Sequence, residues 1–272
     1  MSTKEGLPLI NLAAKQSSST ISSTQNALRQ FGAFRFVAPQ LTQNRLQRVF
    51  QNARGFFQLP IELKLRTKSY SAFDTELIRG KRAVPKESIY FFRKAEGDYH
   101  PPPSELQDSV ETLHQEWTNF RSQLFSTLSI ILDSTEPLEG TPTLDFESLG
   151  VNFYDSDKLD CDRAYFNPAH MDGGTLTILA RATEAHDGLE IADLTTTEKL
   201  DSEGIGLDAS FISVPAISGE VIVLAGTRLQ RIFGKDKVRA CVHRVCNPVH
   251  MSNNSAVKER LSLAIFCAPP FK

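Results

Sequence analysis

Two histidines and an aspartate are the residues of this chain whose types and spacing point most directly to chemistry. His170 and Asp172 are separated only by Met171. On an extended segment, positions i and i+2 point to the same side, so an imidazole and a carboxylate there face one point. Gly173 and Gly174 follow and allow the backbone to turn tightly beside them. A surface histidine next to a turn-forming aspartate spells the same triplet, so the pair needs a third element. His243 supplies it, within the run Val238-Arg239-Ala240-Cys241-Val242-His243-Arg244-Val245. Two histidines and one carboxylate form a facial triad, which covers one face of an octahedral iron and leaves the other open. Zinc accepts the same ligands, so residue types alone leave the metal open. His100, His114, His186 and His250 lack the strand context of His243; His114 falls in a helical pattern, His186 and His250 in polar loops.

Two further pairs share a face by the same alternation. In Arg260-Leu261-Ser262 a guanidinium and a hydroxyl stand together, a combination suited to a carboxylate because arginine offers a planar fork of donors. The plainer alternative is a strand arginine paired with Glu259 or Glu220. Asn152-Phe153-Tyr154 places an amide and a phenol on one side. Residues 79–87 form a basic loop with Arg79, Lys81, Arg82 and Lys86. One of these, or Arg93, is a candidate to hold a substrate carboxylate; the alternative is a solvated charge run. Tyr90 and Phe92 on the following strand are candidate substrate-flanking aromatics, or core.

The elements that must position these residues fall into two textures. Before about residue 140 helices dominate. A helix is expected over Ser22–Gln30 with a cap from the Ser/Thr-rich stretch Ser17–Thr24, a strand over Phe31–Val37, and a second helix from Thr42. Ser88–Arg93 reads as a strand. Leu106, Val110, Leu113, Trp117, Phe120, Leu124, Leu128 and Ile131 recur by threes and fours, which predicts a long helix over Ser104–Leu132 facing a core. After Pro142, short apolar runs separated by turn residues predict strands at Gly150–Tyr154, Thr175–Ala180, Gly188–Ile191, Phe211–Val214, Glu220–Leu224 (continued over Val221–Gln230, which carries Thr227), Val238–Val245 and Leu261–Phe266. Thr195–Ala209 and Asn247–Glu259 read as surface insertions. The fold class is therefore mainly β with N-terminal helices (α+β): one domain over 1–272, with a helix-rich region at 1–140 on a sandwich or barrel core at 141–272.

Composition narrows the partners. The 272 residues carry 30 Lys+Arg against 32 Asp+Glu, a net charge of -2 that argues against a nucleic-acid binder. No apolar run approaches the roughly 20 residues of a membrane helix. The first residues lack the pattern of a secretory signal. The 4 cysteines show no paired spacing, so reduced thiols in the cytoplasm are expected.

The order of these motifs resembles the iron(II)- and 2-oxoglutarate-dependent oxygenases of the isopenicillin N synthase-like branch. The chain reads NFY at 152–154, HMDGGTLTIL at 170–179, GLEI at 188–191, HRV at 243–245 and RLSLAIFCAPP at 260–270. LPLINL at 7–12, FGAFRFV at 31–37 and FFQLPIELK at 56–64 resemble the helical N-terminal region of that family. The resemblance implies a double-stranded β-helix (jelly-roll) core, and His170, Asp172 and His243 as ligands of Fe(II). It implies Arg260 and Ser262 on the distal carboxylate of the cosubstrate 2-oxoglutarate, with Tyr154 adding a hydrogen bond and Asn152 near the other end. The implied reaction consumes O2, decarboxylates 2-oxoglutarate to succinate and CO2, and oxidises a C–H bond of a small metabolite, in specialised or amino-acid-derived metabolism. The rivals are an iron oxidase of the same branch that does without 2-oxoglutarate, and a silent jelly-roll binding protein. Met171 stands where a small polar residue is common in the family and would narrow or dry the substrate side of the metal. Relatives cover the pocket with a C-terminal helix beyond the last core strand; its absence here implies a more open site, or a lid from another segment or subunit. Oligomeric state is left open.

Overall fold

The computed structural model describes residues 7–11, 17–37, 43–78, 82–92, 102–134, 148–159, 163–182, 187–196, 208–247 and 258–267. Arg79, Lys81, Arg93, His100, His186, His250 and most of the two predicted insertions lie outside the described residues.

Two sheets organise the chain. The larger runs in spatial order β1 (Leu9–Asn11), β2 (Ala33–Val37), β12 (Glu220–Ala225), β9 (Leu176–Arg181), β14 (Glu259–Cys267), β7 (Ser148–Asp155), β6 (Glu87–Phe92) and β3 (Tyr70–Ser71). The smaller runs β11 (Ser210–Ser213), β10 (Leu189–Asp193), β13 (His243–Cys246) and β8 (Tyr165–His170). A separate hairpin pairs β4 (Glu76–Ile78) with β5 (Arg82–Val84). From β7 to β14 the chain alternates between sheets, with β7, β9, β12 and β14 in the larger and β8, β10, β11 and β13 in the smaller. This winding is the double-stranded β-helix, and the fold is a jelly roll with helices against its larger sheet.

Strand alternation divides the side chains between two interiors. On β14, Leu261, Leu263 and Ile265 join a core cluster with the helices, whereas Ala264 joins a second cluster with residues of both sheets. Arg260 and Ser262 share that second face by the period of 2. The helical cover comprises α1 (Ser18–Gln30), α2 (Gln43–Phe57), the short α3 (Ile61–Lys64) and α4 (Ser104–Ile131). The Ser17 hydroxyl accepts the Thr20 N–H at 3.1 Å, so α1 starts one turn earlier than its apolar pattern. The predicted stripe on α4 is buried throughout, from Leu106 to Ile131, each residue no more than 2% exposed. Phe120 stacks on Phe36 of β2 with ring centroids 4.8 Å apart, which joins helix to sheet.

Three segments differ from the sequence pattern. The strand predicted over Val221–Gln230 ends at Ala225, and Thr227–Phe233 forms α5. The apolar run masked that break. The strand predicted over Val238–Val245 is regular only from His243, because earlier backbone donors are taken outside the sheet: Arg239 N–H bonds Leu28 O, Ala240 N–H bonds the Gln230 side chain, and Cys241 N–H bonds Ala225 O. Strand β8, which carries His170, was not predicted as such; Asn167 and Pro168 interrupt its pattern.

The α4 stripe yields a stability test. Phe120→Ala should cost about 3–5 kcal/mol in chemical denaturation, the usual range for a buried phenylalanine. Ile130→Ala, on the same helix but 65% exposed, should stay within about 0.5 kcal/mol of the parent.

Candidate active site

The smaller sheet sets two imidazoles directly opposite each other. His243 of β13 is the register partner of His170 of β8, and their ring centroids lie 4.2 Å apart. The Nδ1 of His170 donates to Pro168 O at 2.9 Å, and the Nδ1 of His243 donates to Cys241 O at 3.3 Å. Both Nε2 atoms are thereby left as lone-pair donors and turned toward Asp172. Nε2 of His170 is 3.8 Å from Asp172 Oδ1, and Nε2 of His243 is 4.0 Å from Oδ2. The ligand atoms of the three residues all lie within 4.8 Å of one another. Two neutral nitrogens and one carboxylate oxygen converging on one point suit a divalent transition metal.

Asp172 lies beyond the end of β8, so other contacts hold it. The Thr177 hydroxyl donates to its Oδ2 at 2.6 Å. The start of α5 clamps the turn: Thr227 N–H bonds Asp172 O at 2.8 Å, Arg228 N–H bonds Gly174 O at 3.2 Å, and Gly226 N–H bonds Thr175 O at 2.9 Å. The first N–H groups of a helix have no partners within it, and here the turn at 172–175 supplies them. A Cβ on Gly226 would lie 2.0 Å from Gly174 O, so only glycine permits this approach. Burial would raise the Asp172 carboxyl, but His243, His170 and the Thr177 hydrogen bond overcome it and hold it below the usual range. Burial, aided by His243, pushes His170 down to about 4.

The larger sheet presents the second half of the site. Arg260 pairs across the strands with Tyr154, and Ser262 with Asn152 on β7 and Arg181 on β9. The Arg260 guanidinium lies 4.8 Å over the Tyr154 ring and donates to Ser262 Oγ at 3.2 Å. Its partner is neither Glu259 nor Glu220, which bond Arg54 and Arg35. It is Asp187, whose Oδ2 accepts from Nε at 2.9 Å. Arg260 is 2% exposed.

One cavity joins these halves and is lined by His170, Asp172 and His243 together with Asn152, Tyr154, Arg260 and Ser262. Asn167 also lines it, and its Oδ1 is buried without a hydrogen-bond partner, a polar atom left for a ligand. Of the basic loop, Lys86 reaches the cavity; its ammonium donates to Asn152 Oδ1 at 2.7 Å and pairs with Glu76 at 3.0 Å. Ser88 also donates to Asn152 Oδ1, at 3.1 Å. Tyr90 lines the cavity and donates to Glu76 at 2.9 Å. Arg79 and the side chains of Arg82 and Phe92 lie outside the described residues. Met171 packs beside Ala192, Leu194 and Val242 and is not among the described cavity-lining residues. Glu76, Asn167 and Asp187 were not singled out from sequence; the lone signal for Asp187 was its place just before Gly188-Leu189.

Comparison with known proteins matches this geometry. Residues 7–112 match the family model for the non-haem dioxygenase in morphine synthesis N-terminal region, and residues 146–269 match the 2OG-Fe(II) oxygenase superfamily. The chain is 25% identical over 281 residues to flavanone 3-dioxygenase 2 of Oryza sativa subsp. japonica, spanning 97% of this chain and 73% of that protein. It is 21% identical to feruloyl CoA ortho-hydroxylase 2 of Arabidopsis thaliana, spanning 97% of this chain and 70% of that protein. Among solved structures, a full-length Neurospora crassa protein in complex with alpha-KG superposes with a TM-score of 0.75 at 19% identity, covering 100% of this chain and 88% of that one. JOX2 in complex with 2OG, Fe and JA gives 0.73 at 21% identity, covering 97% and 75%.

Two tests follow from the clamp and the buried imidazole. Gly226→Ala should abolish tight binding of divalent metal in calorimetric titration, whereas Gly55→Ala, with nothing within 4 Å of its Cβ, should leave it unchanged. His170 titrates near 6.5 when unfolded but about 4 when folded. The unfolded chain therefore takes up this proton first, and stability present above pH 6.5 is lost as the pH falls toward 4. Thermal unfolding of the chelated protein across that window should show the decline.

The facing imidazoles, the clamped aspartate and the buried arginine on one cavity agree with both family matches: the chain belongs to the 2OG-Fe(II) oxygenase superfamily and is an iron(II)- and 2-oxoglutarate-dependent dioxygenase.

Proposed function

We propose that His170, Asp172 and His243 hold the iron(II), and that Arg260, Ser262 and Tyr154 receive the distal carboxylate of 2-oxoglutarate. The observation that carries this reading is the single cavity bounded at one side by the converging ligand atoms and at the other by the Arg260–Ser262 pair. Iron, when bound there, supplies the dioxygen chemistry that couples decarboxylation of 2-oxoglutarate to oxidation of a substrate C–H bond. The protein's residues do the positioning. Thr177 and the α5 start fix the carboxylate ligand, and the two backbone carbonyls fix the imidazoles.

The substrate is a small metabolite, and specialised or amino-acid-derived metabolism is the reading we favour. The names of its relatives support it: they act on a flavanone and on feruloyl-CoA, and solved neighbours hold thymine and JA. Asn152, Lys86, Glu76 and Tyr90 form the polar wall we assign to the substrate side. The ammonium of Lys86 is the described basic-loop charge best placed for a substrate carboxylate. Glu76 already balances that charge, so an uncharged polar group that both donates and accepts fits this wall as well. The whole chain acts as one oxygenase domain. We place it in the cytoplasm, because the described thiols of Cys241 and Cys246 are buried and stand outside any disulfide.

The test needs no substrate. Anaerobic titration of the iron(II)-loaded protein with 2-oxoglutarate should give a saturable metal-to-ligand charge-transfer band. Arg260→Ala removes a charge-assisted contact of about 1.5–3 kcal/mol and should weaken the titration by roughly one to two orders of magnitude. His243→Ala should lose iron binding while keeping the fold. Iron binding without a band would point to an oxidase that does without 2-oxoglutarate; no iron binding would point to a silent binding protein.

A further inference from the structure

Arg260 is the end of a buried row of charges. Asp187 Oδ2 accepts from Arg260 Nε at 2.9 Å, and Asp187 Oδ1 accepts from Arg181 Nη1 at 2.8 Å. The side chains of Arg260, Asp187 and Arg181 are 2%, 0% and 5% exposed. Arg181 is held from behind by the carbonyls of Val214 and Pro215, at 2.7 and 2.6 Å. It lines no part of the described cavity. Yet it stands opposite Ser262 in the sheet, one strand away from the Arg260–Ser262 pair.

The charge of this row does not cancel. Two guanidinium groups face one carboxylate, and burial of Asp187 is outweighed by both arginines, which keeps it ionised. The acid nearest the far end, Glu220, is engaged by Arg35 at 2.9 Å. Lys86, which also lines the cavity, is answered by Glu76 at 3.0 Å. One positive charge is therefore left over in a dry place, and an unbalanced buried charge is costly unless a ligand answers it. One carboxylate would do so. Asp187 alone would have neutralised Arg260 and removed its pull on an anion; Arg181 restores it.

We propose that Asp187 and Arg181 are positioning residues for the cosubstrate: Asp187 aims the Arg260 guanidinium, and Arg181 returns the positive charge that Asp187 would cancel, leaving a site that takes one carboxylate. This rests on the assignment of Arg260 to the distal carboxylate of 2-oxoglutarate. A bond to Nε leaves the Nη edge of the fork directed at the cavity side, where Ser262 stands.

The experiment is 2-oxoglutarate affinity, read by anaerobic calorimetric and optical titration of iron(II)-loaded protein, with no turnover required. Arg181→Met should raise the dissociation constant by roughly tenfold or more, although the residue touches no part of the cavity. Arg181→Lys should stay within about threefold of the parent, because the charge is kept. The double variant Arg181→Met/Asp187→Asn restores one net positive charge and keeps an acceptor for Nε; its affinity should return to within about threefold of the parent. A structural role alone would lower thermal stability in Arg181→Met without this rescue. Affinity unchanged in Arg181→Met, or a double variant no better than the single, would overturn the proposal. Should Arg181→Met not fold, Asp187→Asn alone decides: binding equal to or tighter than the parent supports the charge role, and a tenfold loss refutes it. Arg260→Ala separates the two levels. If it binds 2-oxoglutarate normally, the underlying site assignment fails; if it does not, while Arg181→Met does, only the role of Arg181 and Asp187 fails.

Discussion

Charge shut between two sheets must be balanced, and that constraint shapes this molecule more than any single contact. Several buried charges balance among themselves. Lys64 is answered by Glu87, which also accepts from Tyr70; the half-exposed Lys158 is shared between Glu87 and Asp155; and Lys86 is set against Glu76. Such groups are walls: they fix β6 against its neighbours and offer nothing uncompensated to a ligand. Among the described residues around the cavity, two places do not balance. Asp172 stands beside two imidazoles, one of them kept neutral by burial, so its negative charge is met by no full positive charge of theirs. The row from Arg181 to Arg260 lacks an anion. A divalent metal answers the first and a carboxylate the second, so the cavity between them is read from its charge imbalance as much as from its shape.

The helices serve this arrangement indirectly. A strand such as β14 can turn Arg260 and Ser262 inward only if its other face is dry, and the α2 and α4 side chains supply that face for Leu261, Leu263 and Ile265. The alternation of one strand thus couples the long helix to the polar interior. The turn at Asp172 is secured differently, by a helix start of which the carbonyl partners belong to the metal-site turn. Rigidity there comes from backbone hydrogen bonds, which hold position without side-chain entropy.

Much of this was legible in the residues. The α4 stripe and the facing i and i+2 pairs follow from periodicity, whereas the choice of His170, Asp172 and His243 as a set came from the family resemblance; the structure gathers those three on one cavity with Asn152, Tyr154, Arg260 and Ser262. What was not legible has a common cause: it depends on partners distant in sequence. The ion row of Arg181, Asp187 and Arg260 joins β9, the segment just before β10, and β14, and beyond its place before Gly188-Leu189 nothing local in Asp187 announces it. Nor does local pattern show that the donors of Arg239, Ala240 and Cys241 are claimed by Leu28, Gln230 and Ala225, which is why an apolar run there is not a strand. The α5 boundary was hidden likewise, because Val221–Ala225 is apolar and the break at Gly226 is dictated by a carbonyl of another turn.

Two thiols near His243 could compete with it for a metal or an electrophile, and their surroundings bear on that. Cys241, two residues before His243, is wholly buried, and burial pushes its thiol well above the ordinary value. Cys246, at the end of the same strand, donates to Glu190 at 3.1 Å and is pushed up to about 12, by burial first and then by that carboxylate. Oxidants attack the thiolate, and neither residue offers one at neutral pH. Burial of both residues, with the Glu190 carboxylate beside Cys246, thus keeps these two thiols protonated, the form in which they are weakest as nucleophiles and as metal ligands.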